Sequence, residues 1–219
     1  MAFFYLAPAW FFGWGIVLEL FFGVATALVA LCSLKVYRLC EERECRVFGI
    51  AFTAMSVAYF VWSIVNIFAV SQIEKGASVI SFQNISFIFL IAIYIHVVFF
   101  IGGLATLAYF TFGKRHHRLF ALIVSLSIIV VIFSERVSVA FNFVSALLLF
   151  YVILHYSDVY KKTKDNRMFL VLAAFILLFI ARAIFVFSTV SPLVYVADHF
   201  IELGGYALIL ISLLKAFKR

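Results

Sequence analysis

Charge is scarce in this chain of 219 residues: Asp, Glu, Lys and Arg together make up 12% of it. A soluble domain carries about 25% charged and about 45–50% apolar residues, so a free-standing globular enzyme is excluded. Proline is nearly missing. Pro8 and Pro192 are the only two, and both fall outside the long apolar runs, which leaves helices there unbroken. The three cysteines, Cys32, Cys40 and Cys45, sit at or just past the end of the first apolar run. They are read as reduced thiols rather than a disulfide framework. A zinc set of Cys40, Cys45, His116 and His117 is conceivable, but that spacing follows no zinc motif. Low-complexity tracts and long polar linkers are also missing, so residues 1–219 are expected to form a single membrane domain. The first fourteen residues lack a basic start, so the first apolar run is expected to persist as a helix rather than be cleaved.

What is present is hydrocarbon. Hydrophobic residues make up 67% of the chain, and Phe alone occurs 29 times. Seven apolar runs are predicted as helices over 10–34, 48–70, 85–112, 120–133, 138–156, 168–189 and 194–214. A span needs about 20 apolar residues, and the fourth run is the shortest. The fold class expected is all-α: a polytopic integral membrane protein built as a seven-transmembrane-helix bundle, in the cell membrane.

Basic residues then orient it. Lys35, Arg38, Arg43 and Arg46 follow the first run, and Lys114, Arg115 and Arg118 follow the third. Lys161, Lys162, Lys164 and Arg167 follow the fifth; Lys215, Lys218 and Arg219 follow the seventh. The other side has only Lys75 and Arg136. Lys and Arg collect in cytoplasmic loops, so the N-terminus is expected outside and the C-terminus inside. Tyr5, Trp10 and Trp14 suit an outer aromatic belt. The net charge of +7 needs no nucleic acid, because inner basic loops face anionic lipid.

Two stretches echo each other. Val36-Tyr37-Arg38 followed by Arg46-Val47-Phe48 parallels Val159-Tyr160-Lys161 followed by Arg167-Met168-Phe169. His96 precedes Gly102-Gly103 as His199 precedes Gly204-Gly205. The reading is a 3+1+3 parallel internal repeat: about 10–112, a linker helix at about 120–133, and about 138–214. Sites in repeat-built transporters lie where the repeats meet.

Against this background, buried ionisable groups stand out. Asp198, Glu202 and Tyr206 are four apart and share one face of the last helix, with His199 beside them. A charge in hydrocarbon costs at least ~2.5–3.5 kcal/mol, so such residues face protein or a wet cavity. Glu19 lies within Gly15, Glu19, Gly23 and Ala27, a line of small residues that lets another helix approach. His96 and Arg182 lie at a similar depth in the outer half. The expected ligand- or ion-binding pocket is therefore Glu19, His96, Arg182, Asp198, His199, Glu202 and Tyr206, with Arg182 paired to Glu19 or Glu202. Milder alternatives are Arg182 snorkelling to the interface and Asp198 capping the last helix.

Three functions fit. The seven-helix plan resembles rhodopsin-like and sensor-type receptors, which implies a small ligand and a separate cytoplasmic signalling protein, or a homo-oligomer, as partner. Lys215, the only Lys of the last run, lies at its inner end and excludes a retinal Schiff base. The three-plus-one-plus-three plan resembles the sugar-transporting SWEET proteins in span count and orientation, with Glu19, Glu202 and His96 as proton carriers. His96, His199 and Glu202 form a candidate zinc set for an intramembrane hydrolase. It resembles the ceramidase and adiponectin-receptor group, although Leu203 stands where a second His of the last span is expected. Binding is favoured over catalysis.

Overall fold

Within a bilayer no water is available to bond free peptide groups, so a spanning chain closes its hydrogen bonds internally as helix. The computed structural model follows that rule and describes residues 11–41, 43–74, 79–111, 117–187 and 192–217. Tyr5, Pro8, Trp10, Lys75, Lys114, Arg115, His116, Lys218 and Arg219 lie outside the described residues. Among the described residues there are seven helices and no strand: α1 (Phe12–Cys40), α2 (Arg43–Glu74), α3 (Val79–Thr111), α4 (His117–Ile132), α5 (Val137–Thr163), α6 (Asn166–Phe187) and α7 (Pro192–Phe217). Six of them are long and apolar enough to cross a membrane. The exception is α4, whose 16 residues reach only ~24 Å against a hydrocarbon core of ~30 Å.

The helices overrun the predicted runs, at their basic ends and also where α2 ends at Glu74 and α3 begins at Val79. α1 continues to Cys40 and α5 to Thr163, because Lys, Arg and Glu are good helix formers once clear of hydrocarbon. Each of these helices then stops on a left-handed residue. Glu41 (φ 54°) donates its N–H to Tyr37 O, and Lys164 (φ 50°) donates to Tyr160 O. These are the only non-glycine residues with positive φ among those described. At the other end of the bundle, Pro192 opens α7, where its missing N–H costs nothing.

α1 packs on α2 and α7, α2 on α3, α3 on α5, α5 on α6, and α6 on α7. The six long helices thus close a ring, and α4 leans on α3 and α5 from outside it. The outer face of the ring differs from that of a soluble bundle. On α1, Val17, Phe21, Val24, Leu28 and Leu31 face outward, whereas Glu19, Phe22, Thr26, Val29 and Ser33 are buried. Water-soluble monomers rarely expose such continuous apolar faces; lipid accepts them.

Close approach inside the ring depends on glycine. A Cβ on Gly103 of α3 would fall 2.7 Å from Ala51 O and 2.8 Å from Met55 on α2. On Gly205 of α7 it would fall 3.2 Å from Ala174 O and 2.8 Å from Leu178 on α6. Phe52, Met55, Phe100, Leu104, Phe175 and Leu178 fill the centre with an apolar plug. The polar residues lie to one side of that plug, toward the end where α1, α3, α5 and α7 begin.

Candidate functional site

Each long helix sends polar side chains into this end of the ring, because outward-facing positions meet hydrocarbon. α1 supplies Glu19, α2 Tyr59, Trp62 and Asn66, α3 His96, and α5 Asn142. α6 supplies Arg182, and α7 Asp198, His199, Glu202 and Tyr206.

The floor of the site is a buried ion pair. Arg182 Nη2 bonds Glu202 Oε1 and donates to Tyr59 Oη at 3.0 Å, while Nη1 donates to Asn142 Oδ1 at 3.3 Å. The guanidinium lies 4.8 Å from the Phe100 ring centre and 5.7 Å from that of Phe141, within cation–π range. Tyr59 donates its one hydroxyl proton to Glu202 Oε1. The 2.8 Å contact between Tyr59 and Tyr206 hydroxyls therefore has Tyr206 as donor. Five side chains, from α2, α5, α6 and α7, thus form one network across the middle of the ring.

Glu19 belongs to a second group. It accepts from Trp62 Nε1 at 2.9 Å and from Asn66 Nδ2 at 2.8 Å, both on α2. The glycine line beside it faces α2 as well, since Ser56 Oγ donates to Gly23 O at 2.9 Å and the Phe60 ring covers Gly23. His96 Nδ1 donates to Ala58 O at 3.0 Å, and His199 Nδ1 donates to Tyr195 O at 2.9 Å. Asp198 Oδ2 lies 3.8 Å from His199 Nδ1, too far for a hydrogen bond. Asp198 Oδ1 is buried with no hydrogen-bond partner.

Between these groups is a cavity of about 160 Å³. Six of the seven predicted pocket residues line it: Glu19, His96, Arg182, Asp198, His199 and Glu202. Tyr206 is fully buried behind them and joins through Tyr59. The remaining wall is largely aromatic, with Phe22, Trp62, Phe89, Phe141, Phe185 and Tyr195. Val137 and Ser138, the first residues of α5, form its rim, so the cavity extends to the start of that helix.

Of the two partners expected for Arg182, the structure selects Glu202; Glu19 is held by neutral donors instead. Arg182 is buried and paired, so it does not snorkel. Asp198 lies a turn and a half inside α7, which begins at Pro192, so it does not cap the helix. Among the described residues no three His, Cys, Asp or Glu side chains gather closely enough to hold a metal ion. The zinc set of His96, His199 and Glu202 therefore lacks its geometry. Of the cysteine–histidine set, Cys40 is a free thiol, and the His116 and His117 side chains lie outside the described residues.

Sequence reasoning missed Tyr59 and Trp62. A signal existed: Tyr59, Ser63 and Asn66 recur at helical spacing on one face of α2, and all three are buried. Tyr and Trp, however, are counted as hydrophobic in a span, and their polar atoms pass unnoticed. Compared with protein-family models, with curated proteins and with solved structures, this chain has no match, so its function has to be sought in the chemistry of the site itself.

Proposed function

We propose that the chain is a seven-span protein of the cell membrane, N-terminus outside and C-terminus in the cytoplasm, that binds a small polar ligand in a pocket in the outer half of its bundle. The observation that carries this reading is the cavity, lined by Asp198, one of whose carboxylate oxygens is buried without a protein partner. A buried acceptor left unbonded costs about 1–3 kcal/mol, which a bound donor recovers. A structural polar cluster would be expected to satisfy itself, as Arg182, Glu202, Tyr59 and Tyr206 do. A receptor of this kind passes its signal to a cytoplasmic partner through the basic loops.

Orientation is supported by the basic ends of the helices. Arg38, Arg43, Arg46, Lys161, Lys162, Lys164, Arg167 and Lys215 all lie opposite the cavity. In a cysteine-free background, Glu135→Cys should react with a membrane-impermeant maleimide on intact cells and Lys162→Cys should not; the reverse pattern overturns the orientation. Ser138→Cys, at the rim, should also react from outside. Failure at Ser138 with success at Glu135 argues that the pocket is closed to that side. A screen of small polar solutes by thermal stability of the purified protein tests the binding role, and the absence of any stabilising solute rejects it.

The 3+1+3 repeat is supported by register. Glu41 and Lys164 cap their helices at an offset of 123 positions, and α2 and α6 start at Arg43 and Asn166, the same offset. The buried residues of α6, namely Leu172, Ala174, Phe175, Leu178, Ala181 and Arg182, fall at that offset from Gly49, Ala51, Phe52, Met55, Ala58 and Tyr59 of α2, all buried too. Tyr59 and Arg182 are thus equivalent positions, and they bond each other in mid-ring. This favours transport as the second reading, because transporters bind substrate where repeats meet. Proton-coupled flux into liposomes that is lost in Glu19→Gln would favour it over the receptor; binding without flux would favour the receptor.

A further inference from the structure

The cavity's walls hold three carboxylates and one guanidinium, and the guanidinium is already paired. Glu202, Tyr59 and Asn142 take its hydrogen bonds, and the Phe100 and Phe141 rings lie against its face. An anionic ligand would therefore meet a guanidinium whose charge Glu202 already balances. The other two carboxylates have no Lys or Arg partner among the described residues. Glu19 is held only by the neutral indole of Trp62 and the amide of Asn66. Asp198 is 1% exposed, lines the cavity, and keeps Oδ1 without a partner. Both histidines spend Nδ1–H on backbone carbonyls, so each neutral ring turns an acceptor nitrogen elsewhere. Apart from the hydroxyls of Tyr195 and Ser138, the polar groups left to serve a ligand are acceptors, and much of the rest of the wall is aromatic.

Resting on the ligand-binding reading above, we propose that this cavity takes a small organic cation, an amine or quaternary ammonium group, with Asp198 as its direct counter-ion and Glu19 as the second carboxylate. Carboxylate plus aromatic rings is the chemistry that holds alkylammonium ions. A hard metal ion wants about six or more oxygen ligands, and no three metal-ligating side chains converge here among the described residues. The volume of about 160 Å³ matches the ~150 Å³ of an engineered cavity that holds benzene, enough for an enclosed group of roughly six or seven heavy atoms. Because the rim at Val137 and Ser138 stands at the start of α5, two sources of the ammonium group are to be distinguished. It can be a free solute or the head of an ethanolamine or choline lipid.

The test uses the full chain in nanodiscs of phosphatidylglycerol, which carries no ammonium group. Calorimetric titration with tetramethylammonium and ethanolamine should be saturable, whereas acetate and tert-butanol should show no binding. Asp198→Asn should weaken both cations roughly tenfold or more, the scale of losing one close charge pair. The wild-type comparison of charges stands even if that variant fails to fold. Repeating the titration in phosphatidylethanolamine or phosphatidylcholine discs separates the sources: loss of the free-solute signal assigns the site to the headgroup, and an unchanged signal assigns it to a solute. Binding of acetate or tert-butanol without the cations overturns this inference and leaves the pocket as a binding site. Binding of sodium alone also overturns it. Binding of no probe by a protein that still melts cooperatively overturns the inference, and the ligand-binding reading falls only if the wider solute screen is empty too.

Discussion

Arg182 and Glu202 illustrate what a buried charge requires of its neighbours. Removing one partner leaves the other uncompensated in a low-dielectric interior, which costs about 3–5 kcal/mol, whereas replacing both by apolar groups is often near neutral. Arg182→Met and Glu202→Leu should each lower the melting temperature strongly. The double variant should recover most of the loss, and additive losses would mean that the two do not act as a pair. Neighbouring glycines make a sharper residue-level comparison. Gly103→Ala drives a methyl into the fixed carbonyl of Ala51 and should destabilise by about 1–3 kcal/mol. Gly102→Ala meets nothing within 4 Å and should be neutral or stabilising by up to about 1 kcal/mol through helix propensity. Equal effects in a denaturation assay would mean that α2 and α3 are not packed as described.

At the scale of single helices, termini and lengths carry the information. Lys164 and Glu41 hold left-handed conformations that cost a non-glycine residue roughly 1–2 kcal/mol. Lys164→Gly and Glu41→Gly should each raise stability by about 1 kcal/mol, and Lys164→Val should lower it; a loss in both glycine variants would argue against these caps. The extents of α1 to α7 were largely legible from the apolar runs, because a helix in lipid needs only enough apolar residues to span. The overruns at the basic ends were not, since leaving hydrocarbon does not end a helix. α4 is the weakest element by either route. It was the shortest predicted run, and it lies outside the ring, touching α3 and α5.

For the whole molecule, the arrangement of helices decides which polar groups meet. The ring brings α2, α6 and α7 face to face around Tyr59, Arg182 and Glu202, and leaves Glu19 to α2 alone. Orientation is likewise a property of the whole chain, set by the summed bias of its loops. Replacing Lys161, Lys162 and Lys164 with Gln should lower the fraction of molecules whose Glu135→Cys is labelled from outside. No change in that fraction would mean that the loops after α1, α3 and α7 suffice.

Composition and apolar periodicity by themselves determined that the chain is helical, that long stretches suit a bilayer, and that Glu19, His96, Arg182, Asp198, His199 and Glu202 turn away from lipid. Those are local consequences of desolvation, written into each segment separately. Only the tertiary structure decided that Arg182 takes Glu202 and not Glu19, that Tyr59 completes the network, and that Asp198 keeps an unbonded oxygen beside a cavity. Each depends on the order and rotation of neighbouring helices, which no single segment encodes.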